Sequence, residues 1–167
     1  MENIQLSLLD LKRMQDDYEL KIYNKYGITE YPFSENKLAL LVELGELANE
    51  VKSFKYWKNP DNRIIDNDKL REEFADCVHF ALSLEDITDI AKMDVSDEKF
   101  VSILDEPDSE VSINDLFNSV FFNVTTNNQI LLNVLYLGMS LGLTMNDIVL
   151  EYVKKNKINY QRIENNY

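Results

Sequence analysis

Leu38-Ala-Leu-Leu-Val-Glu43-Leu-Gly-Glu46-Leu-Ala-Asn-Glu50-Val-Lys-Ser-Phe54 is the stretch on which the fold turns. Glu43, Glu46 and Glu50 follow one another at intervals of three and four, which places them on one face of a helix. Ala39, Leu47 and Phe54 continue that face along the i±4 rows, and Leu38, Leu41 and Leu44 occupy the opposite side. A helix that is apolar nearly all round is a buried helix. Its acids are therefore expected among apolar neighbours and not along a solvated stripe.

A second stretch repeats the arrangement: Leu70-Arg-Glu72-Glu73-Phe74-Ala-Asp76-Cys77-Val78-His79-Phe80. Glu73 and Asp76 are three apart, with Leu70, Cys77 and Phe80 on neighbouring rows, and Glu72 is expected to face solvent. If the two apolar surfaces meet, four carboxylates converge. Like charges that close cannot all stay ionised without compensation, and a buried unpaired ion costs roughly several kcal/mol. A hard divalent cation is the natural remedy, and Mg²⁺ takes oxygen ligands while keeping positions for water and phosphate. A lone Glu-x-x-Glu on a helix is ordinarily a pair of solvated acids. Two such pairs on apolar faces of adjacent helices favour the metal. Glu50 stays open between a ligand to a second ion, a supporting contact and a partner for a nearby lysine.

Working outward, periodicity predicts five helices, near 4–26, 34–57, 68–90, 113–141 and 145–163. Gly27 ends the first and Pro32 lies in the following loop. Asp66 or Asn67 caps the third and Thr144 the fifth, and the fourth is expected to break near 124–127. Residues 92–112 are polar and acidic and read as a variable insert. Four glycines and three prolines are too few for a turn-rich β protein. The expected architecture is all-α: one catalytic domain over 1–167, a bundle of long antiparallel helices. The apolar fourth helix, with Gly138 and Gly142 allowing close approach, is expected to serve both the core and a homodimer interface.

The net charge of −13 repels nucleic acid polymers and anionic membranes. The stretch from Ile130 to Leu143, interrupted by Asn133 and Ser140, is too short to span a bilayer. One cysteine, Cys77, on an apolar row, is expected in the core of a cytoplasmic protein. No basic-then-apolar leader opens the chain. Against this acidity, Tyr152, Lys155, Asn156, Asn159 and Arg162 form a basic stripe on the last helix. It suits phosphate, although basic residues also favour a helix C-terminus in their own right.

Glu43-x-x-Glu46 followed, after residues 47–72, by Glu73-x-x-Asp76 resembles the metal motif of the all-α nucleotide pyrophosphohydrolases. Phe54-Lys-Tyr-Trp57-Lys58, Asp76-Cys-Val-His79-Phe80-Ala-Leu-Ser83-Leu and the tail from Tyr152 through Arg162 to Tyr167 narrow the likeness. Together they resemble the dimeric dUTP diphosphatases of bacteria and phages. The resemblance implies Mg²⁺-dependent hydrolysis of dUTP, and of dUDP, to dUMP. It places Glu43, Glu46, Glu73 and Asp76 on the metal, with Glu43 also orienting or deprotonating the attacking water. It places Lys155, Asn159 and Arg162 on phosphate, and Gln15 on the uracil edge, which an amide suits as both donor and acceptor. Trp57, His79 and Phe80 would form the nucleoside pocket, with Tyr167 in a closing tail. Tyr18 stands where the family often has asparagine. Two other readings compete: a pyrophosphohydrolase of another nucleotide, and a catalytically silent interaction module. Some phage relatives bind a repressor through the substrate region, so a regulatory protein partner is compatible with enzyme activity.

Overall fold

A serine or threonine answered three residues later by aspartate opens three helices of the computed structural model, which describes residues 6–93 and 111–165. Seven α-helices occur among these residues: α1 Leu8–Tyr26, α2 Phe33–Val51, α3 Asn67–Ser83, α4 Ile87–Ile90, α5 Ile113–Thr126, α6 Ile130–Ser140 and α7 Met145–Glu164. Ser7 with Asp10, Ser112 with Asp115, and Thr144 with Asp147 close reciprocal capping boxes at α1, α5 and α7. Each satisfies two of the amide donors that a helix start leaves unpaired. Asp66 caps α3, and Gly27, left-handed at φ 67°, ends α1. The fold is all-α, as the periodicity requires. Most of the insert expected over 92–112, and Tyr167, lie outside the described residues.

Three expected boundaries shift, the first being the start of the first helix, which opens at Leu8 and not near residue 4 because Ser7 caps it. The second helix stops at Val51 instead of running to Trp57, because Lys52 turns left-handed (φ 61°) and its N–H reaches back to the Ala48 carbonyl. Lysine is an uncommon residue in that conformation, so no glycine announces the stop. The Lys52 ammonium then ties down the connector at the Ile64 carbonyl, 2.7 Å away. The third helix ends at Ser83 and not at Ile90. The Asp86 side chain captures the Thr88 N–H at 2.7 Å and starts the separate one-turn α4. The fourth divides where expected: the helix ends at Thr126, and Asn127 and then Gln129 turn left-handed. Lys37 secures that corner through the Thr125 carbonyl and Asn127 Oδ1.

The centre of the bundle is α3, which packs against α1, α2, α6 and α7. Phe74, Cys77, Val78, Ala81 and Leu82 are almost wholly buried along it. Burial pushes the Cys77 thiol well above its ordinary pKa. By contrast α2 is not enclosed. It buries the row Leu40, Leu44, Leu47 and Val51 against α3 and α5 but leaves Leu38 64% and Val42 51% exposed. Gly138 of α6 meets the ring of Phe74: a Cβ there would lie 2.2 Å from Cζ. The close approach anticipated for Gly138 thus joins α6 to α3 within the chain. Gly142 (φ 89°) has open space around it and serves the α6–α7 turn. No single helix among the described residues is long and apolar enough to cross a membrane.

Gly138→Ala tests this packing. Overpacking a filled core costs about 1–3 kcal/mol, against ~1 kcal/mol gained in helix propensity. Denaturant melts are expected to show net destabilisation. Phe74→Leu in the Gly138→Ala background should recover part of the loss, giving a favourable coupling energy in the double-mutant cycle.

Candidate active site

Each motif acid precedes a buried core residue by one position: Glu43 before Leu44, Glu46 before Leu47, Glu73 before Phe74, Asp76 before Cys77. One residue is about 100° around a helix. When Leu44, Leu47, Phe74 and Cys77 turn inward, their acidic neighbours are left at the edge of the α2–α3 seam. Glu43, Glu73 and Asp76 meet there, each offering a carboxylate oxygen, all within 4.8 Å of one another. Glu46 is exposed and outside that trio, but its charge acts on both Glu43 and Glu73.

The electrostatics record the crowding. Burial, then the charges of Asp76, Glu46 and Glu73, push the Glu43 carboxyl up to about 7. Burial and the same kind of repulsion raise Glu73. Asp76 is raised as well, because burial outweighs the Lys155 ammonium 2.7 Å from its Oδ2. For Lys155, burial works toward a lower pKa, but its bonds to Asp76 and to Glu72 Oε1 at 3.3 Å prevail and raise it. Three half-buried carboxylates therefore share the Lys155 ammonium, with the Arg162 guanidinium also acting on Asp76. Hard oxygen donors, mutual repulsion and unmet negative charge fit a divalent cation. Glu72 is exposed as expected, and Glu50 has Lys52 at 3.9 Å.

Glu43 and Asp76 also form part of the wall of a cavity of ≈ 510 Å³. Gln15, His79, Phe80, Asn159 and Arg162 line the same space. Seven residues singled out in the sequence, from four helices, thus share one pocket. Lys155 stands behind Asp76 and does not line it. Trp57 lies apart, 61% exposed on the connector after α2, edge-on to Phe54 and Tyr56 with ring centroids 5.9 and 5.2 Å away.

The pocket floor is more polar and more ordered than the sequence suggests. Gln15 is 3% exposed, and its amide is fully bonded. Nε2 donates to Glu19 Oε1 at 3.1 Å and Ser83 Oγ at 3.0 Å. Oε1 lies 2.7 Å from His79 Nδ1 and 3.1 Å from the Tyr152 hydroxyl. His79 is stacked on Tyr152, and burial drives its pKa down to about 3, so the imidazole is neutral. Glu19, Ser83 and Tyr23 complete this floor; Ser83 falls within the third-helix motif that carries the resemblance, and Glu19 and Tyr23 belong to none of the motifs. For Glu19 a signal existed: it falls on the face of α1 carrying Leu11, Gln15, Tyr18 and Ile22. Tyr18 lines the pocket as well, edge-on to His79 and Tyr160.

Fold and site together define a class: an all-α protein whose two neighbouring helices hold a carboxylate cluster on the wall of a substrate-sized pocket. A family model described as dUTPase matches residues 7–167, and the chain belongs to that all-α dUTPase family, the dimeric type. Comparison with curated proteins finds no match. Members of the family are dUTP diphosphatases, and dUTP hydrolysis is this chain's activity. The divalent metal that dUTPases generally use accords with the acid cluster.

A metal-free protein should carry the cost of this repulsion. Glu43 has its folded pKa, about 7, above the ordinary 4.5. The penalty is therefore full above pH 7 and is relieved as pH falls toward 4.5. Glu43→Gln in chelator is expected to be more stable than wild type at pH 8 by about 1–2 kcal/mol, after allowance for solvent screening at a half-exposed site. The gap should close by pH 5. Denaturant titrations at the two pH values check both the sign and the closing.

Proposed function

We propose that this dUTPase uses Mg²⁺ to convert dUTP to dUMP and pyrophosphate, and dUDP to dUMP and phosphate. The observation that supports it most is that Glu43 and Asp76 border the same cavity as Gln15, His79, Asn159 and Arg162. A charged end and a hydrogen-bonding end in one pocket suit a nucleotide. Glu43, Glu46, Glu73 and Asp76 would hold the metal. Bound there, Mg²⁺ supplies charge neutralisation along the phosphates and acidifies water. Glu43 accepts the proton of the attacking water, a task matched by a carboxyl poised near neutrality. Water oxygen bonds to phosphorus, the bond to the departing phosphate or pyrophosphate oxygen breaks, and that group leaves. Phosphoryl chemistry asks for positioning and charge and needs no protein nucleophile. Asn159 and Arg162 supply phosphate contacts from α7, Lys155 would join them once a cation takes its place at Asp76, and Gln15, His79 and Phe80 face the nucleoside. Trp57 and Tyr167 would join by closing over the bound nucleotide.

The enzyme is proposed to work as a homodimer. Leu38 and Val42 form an exposed apolar stripe on the back of the helix that carries Glu43 and Glu46, and Phe122 of α5 is 66% exposed. A second copy seated on α2 and α5 would cover the face that the monomer leaves open. Apolar stripes of this kind mark interaction surfaces. Val42→Arg is expected to shift the dimer toward monomer in light scattering; a wild-type monomer would refute the assembly.

A panel of deoxynucleoside triphosphates with Mg²⁺, followed by pyrophosphate release, tests the activity. Turnover should favour dUTP over dCTP and dTTP, stop with chelator and return with Mg²⁺. Glu43→Gln should lower kcat by about 10²–10⁴-fold. Comparable rates on all the nucleotides would indicate a different pyrophosphohydrolase, and no turnover would indicate an interaction module.

A further inference from the structure

The floor of the pocket contains a carboxylate to which the chemistry above gives no task. Glu19 is 9% exposed, and its bonded partners are neutral donors. Oε1 accepts from Gln15 Nε2 and from Ser83 Oγ, and Oε2 accepts from the Tyr23 hydroxyl at 3.1 Å. Tyr31 in turn donates to the Ser83 carbonyl, holding the end of α3 against this group.

The directions of these bonds are determined by which groups can donate. An ionised carboxylate only accepts. The Gln15 atom facing Glu19 must therefore be its NH₂, and the opposite end of the amide, Oε1, must face His79 and Tyr152. An amide oxygen also only accepts. His79 Nδ1 must then carry the proton, and Nε2 is left as a lone pair. Nε2 is buried and makes no hydrogen bond of ordinary geometry among the described residues, while the Tyr152 backbone carbonyl lies close enough to the ring to oppose the effect of burial on its pKa. Turning the amide over would set Gln15 Oε1 against the Glu19 carboxylate, acceptor to acceptor, and would require His79 to move its proton to Nε2.

We infer that Glu19 is a positioning residue: its buried carboxylate locks the Gln15 amide in one orientation, and through that amide holds His79 in the Nδ1-protonated tautomer. The pocket floor is thereby held in one hydrogen-bonding arrangement instead of two interconvertible ones. Such a lock matters for telling one base edge from another, because a site that can turn its amide over satisfies either pattern. Its bearing on substrate rests on the proposed nucleotide activity; the lock itself does not.

His79 is the chain's one histidine, so imidazole ¹⁵N spectra need no assignment. The ligand-free wild type should show a protonated Nδ1 and an unprotonated Nε2. In Glu19→Gln either end of the new amide can face Gln15, and the Nε2-protonated tautomer should gain population. Glu19→Asp, which keeps the charge, should retain most of the wild-type signature. Gln15→Leu removes the transmitter without needing Glu19 changed, and should abolish the bias even if Glu19→Gln fails to fold. A wild-type Nε2–H tautomer overturns the lock, as does an unchanged tautomer in a folded Glu19→Gln or in Gln15→Leu. With dUTP, KM of Glu19→Gln should rise about tenfold, the scale of one misaligned hydrogen bond to a charged group. Its kcat should fall less, and the dUTP-to-dCTP preference should shrink. Unchanged KM and preference would overturn the positioning role. A wild type indifferent to the base would sink the activity reading, while the tautomer spectra still judge the lock.

Discussion

The structure depends on how α2 and α3 meet. Leu40, Leu44, Leu47 and Val51 on one side, and Phe74, Cys77 and Val78 on the other, are buried. Burying them brings Glu43, Glu73 and Asp76 within a few ångströms of one another. The hydrophobic gain of the seam and the repulsion of its rim arise from the same register, because each acid is one residue away from a core side chain. A shift of either helix by one position would relieve the rim only by turning the core outward. The protein thus holds a local electrostatic penalty in place with packing energy, and a cation is what converts that penalty into affinity.

The sequence showed this arrangement because helical spacing is a strong constraint. Intervals of three and four identified the acid faces, and the apolar rows beside them identified the seam. Capping residues marked the starts of α3 and α7 as clearly as a single sequence allows. The stops were harder to read. Lys52 and Gln129 adopt left-handed backbone without being glycine or asparagine, so nothing in their identity announces a turn. Asp86 reads equally well as a helix residue or a cap, and the local competition for the Thr88 amide decided it. The second helix was read as enclosed because composition cannot say how many neighbours a helix has. Its exposed row of Leu38 and Val42 depends on which elements pack against it, and α3, with neighbours on every side, is the enclosed one.

Site residues divided along the same line. Glu43, Asp76, Gln15, His79, Phe80, Asn159 and Arg162 converge on one cavity from distant parts of the chain. Their motifs were visible because each lies on a regular helix with a fixed phase. Helical spacing carried past Val51 makes Trp57 the continuation of a helix, and the family resemblance makes it a wall of the pocket. Once α2 stops at Val51 its phase is lost, and it stands on the surface with Phe54 and Tyr56. The link between Ser83 and α1 was not legible for a different reason, whereas Glu19 sits four residues from both Gln15 and Tyr23 on the helical face of α1. Ser83 closes a circuit of hydrogen bonds between α3 and α1, and its partners Glu19 and Gln15, 64 and 68 residues away, leave no local pattern.

A half-buried carboxylate cluster and a buried carboxylate therefore serve one pocket, and the difference between them lies in who meets their charge. Around Glu43 the neighbours are other acids, and the one nearby ammonium, on Lys155, is committed to Asp76 and Glu72. That end of the cavity is electrostatically unfinished until something positive arrives. Around Glu19 the neighbours are an amide, a serine hydroxyl and a tyrosine hydroxyl, each bonded to a carboxylate oxygen. That end is complete as it stands. A site built this way can be avid for cations where charge must be neutralised and rigid where shape and polarity must be judged. With thirty acidic residues in the chain, the selective element is which acids are denied partners, and the fold denies them at the α2–α3 seam.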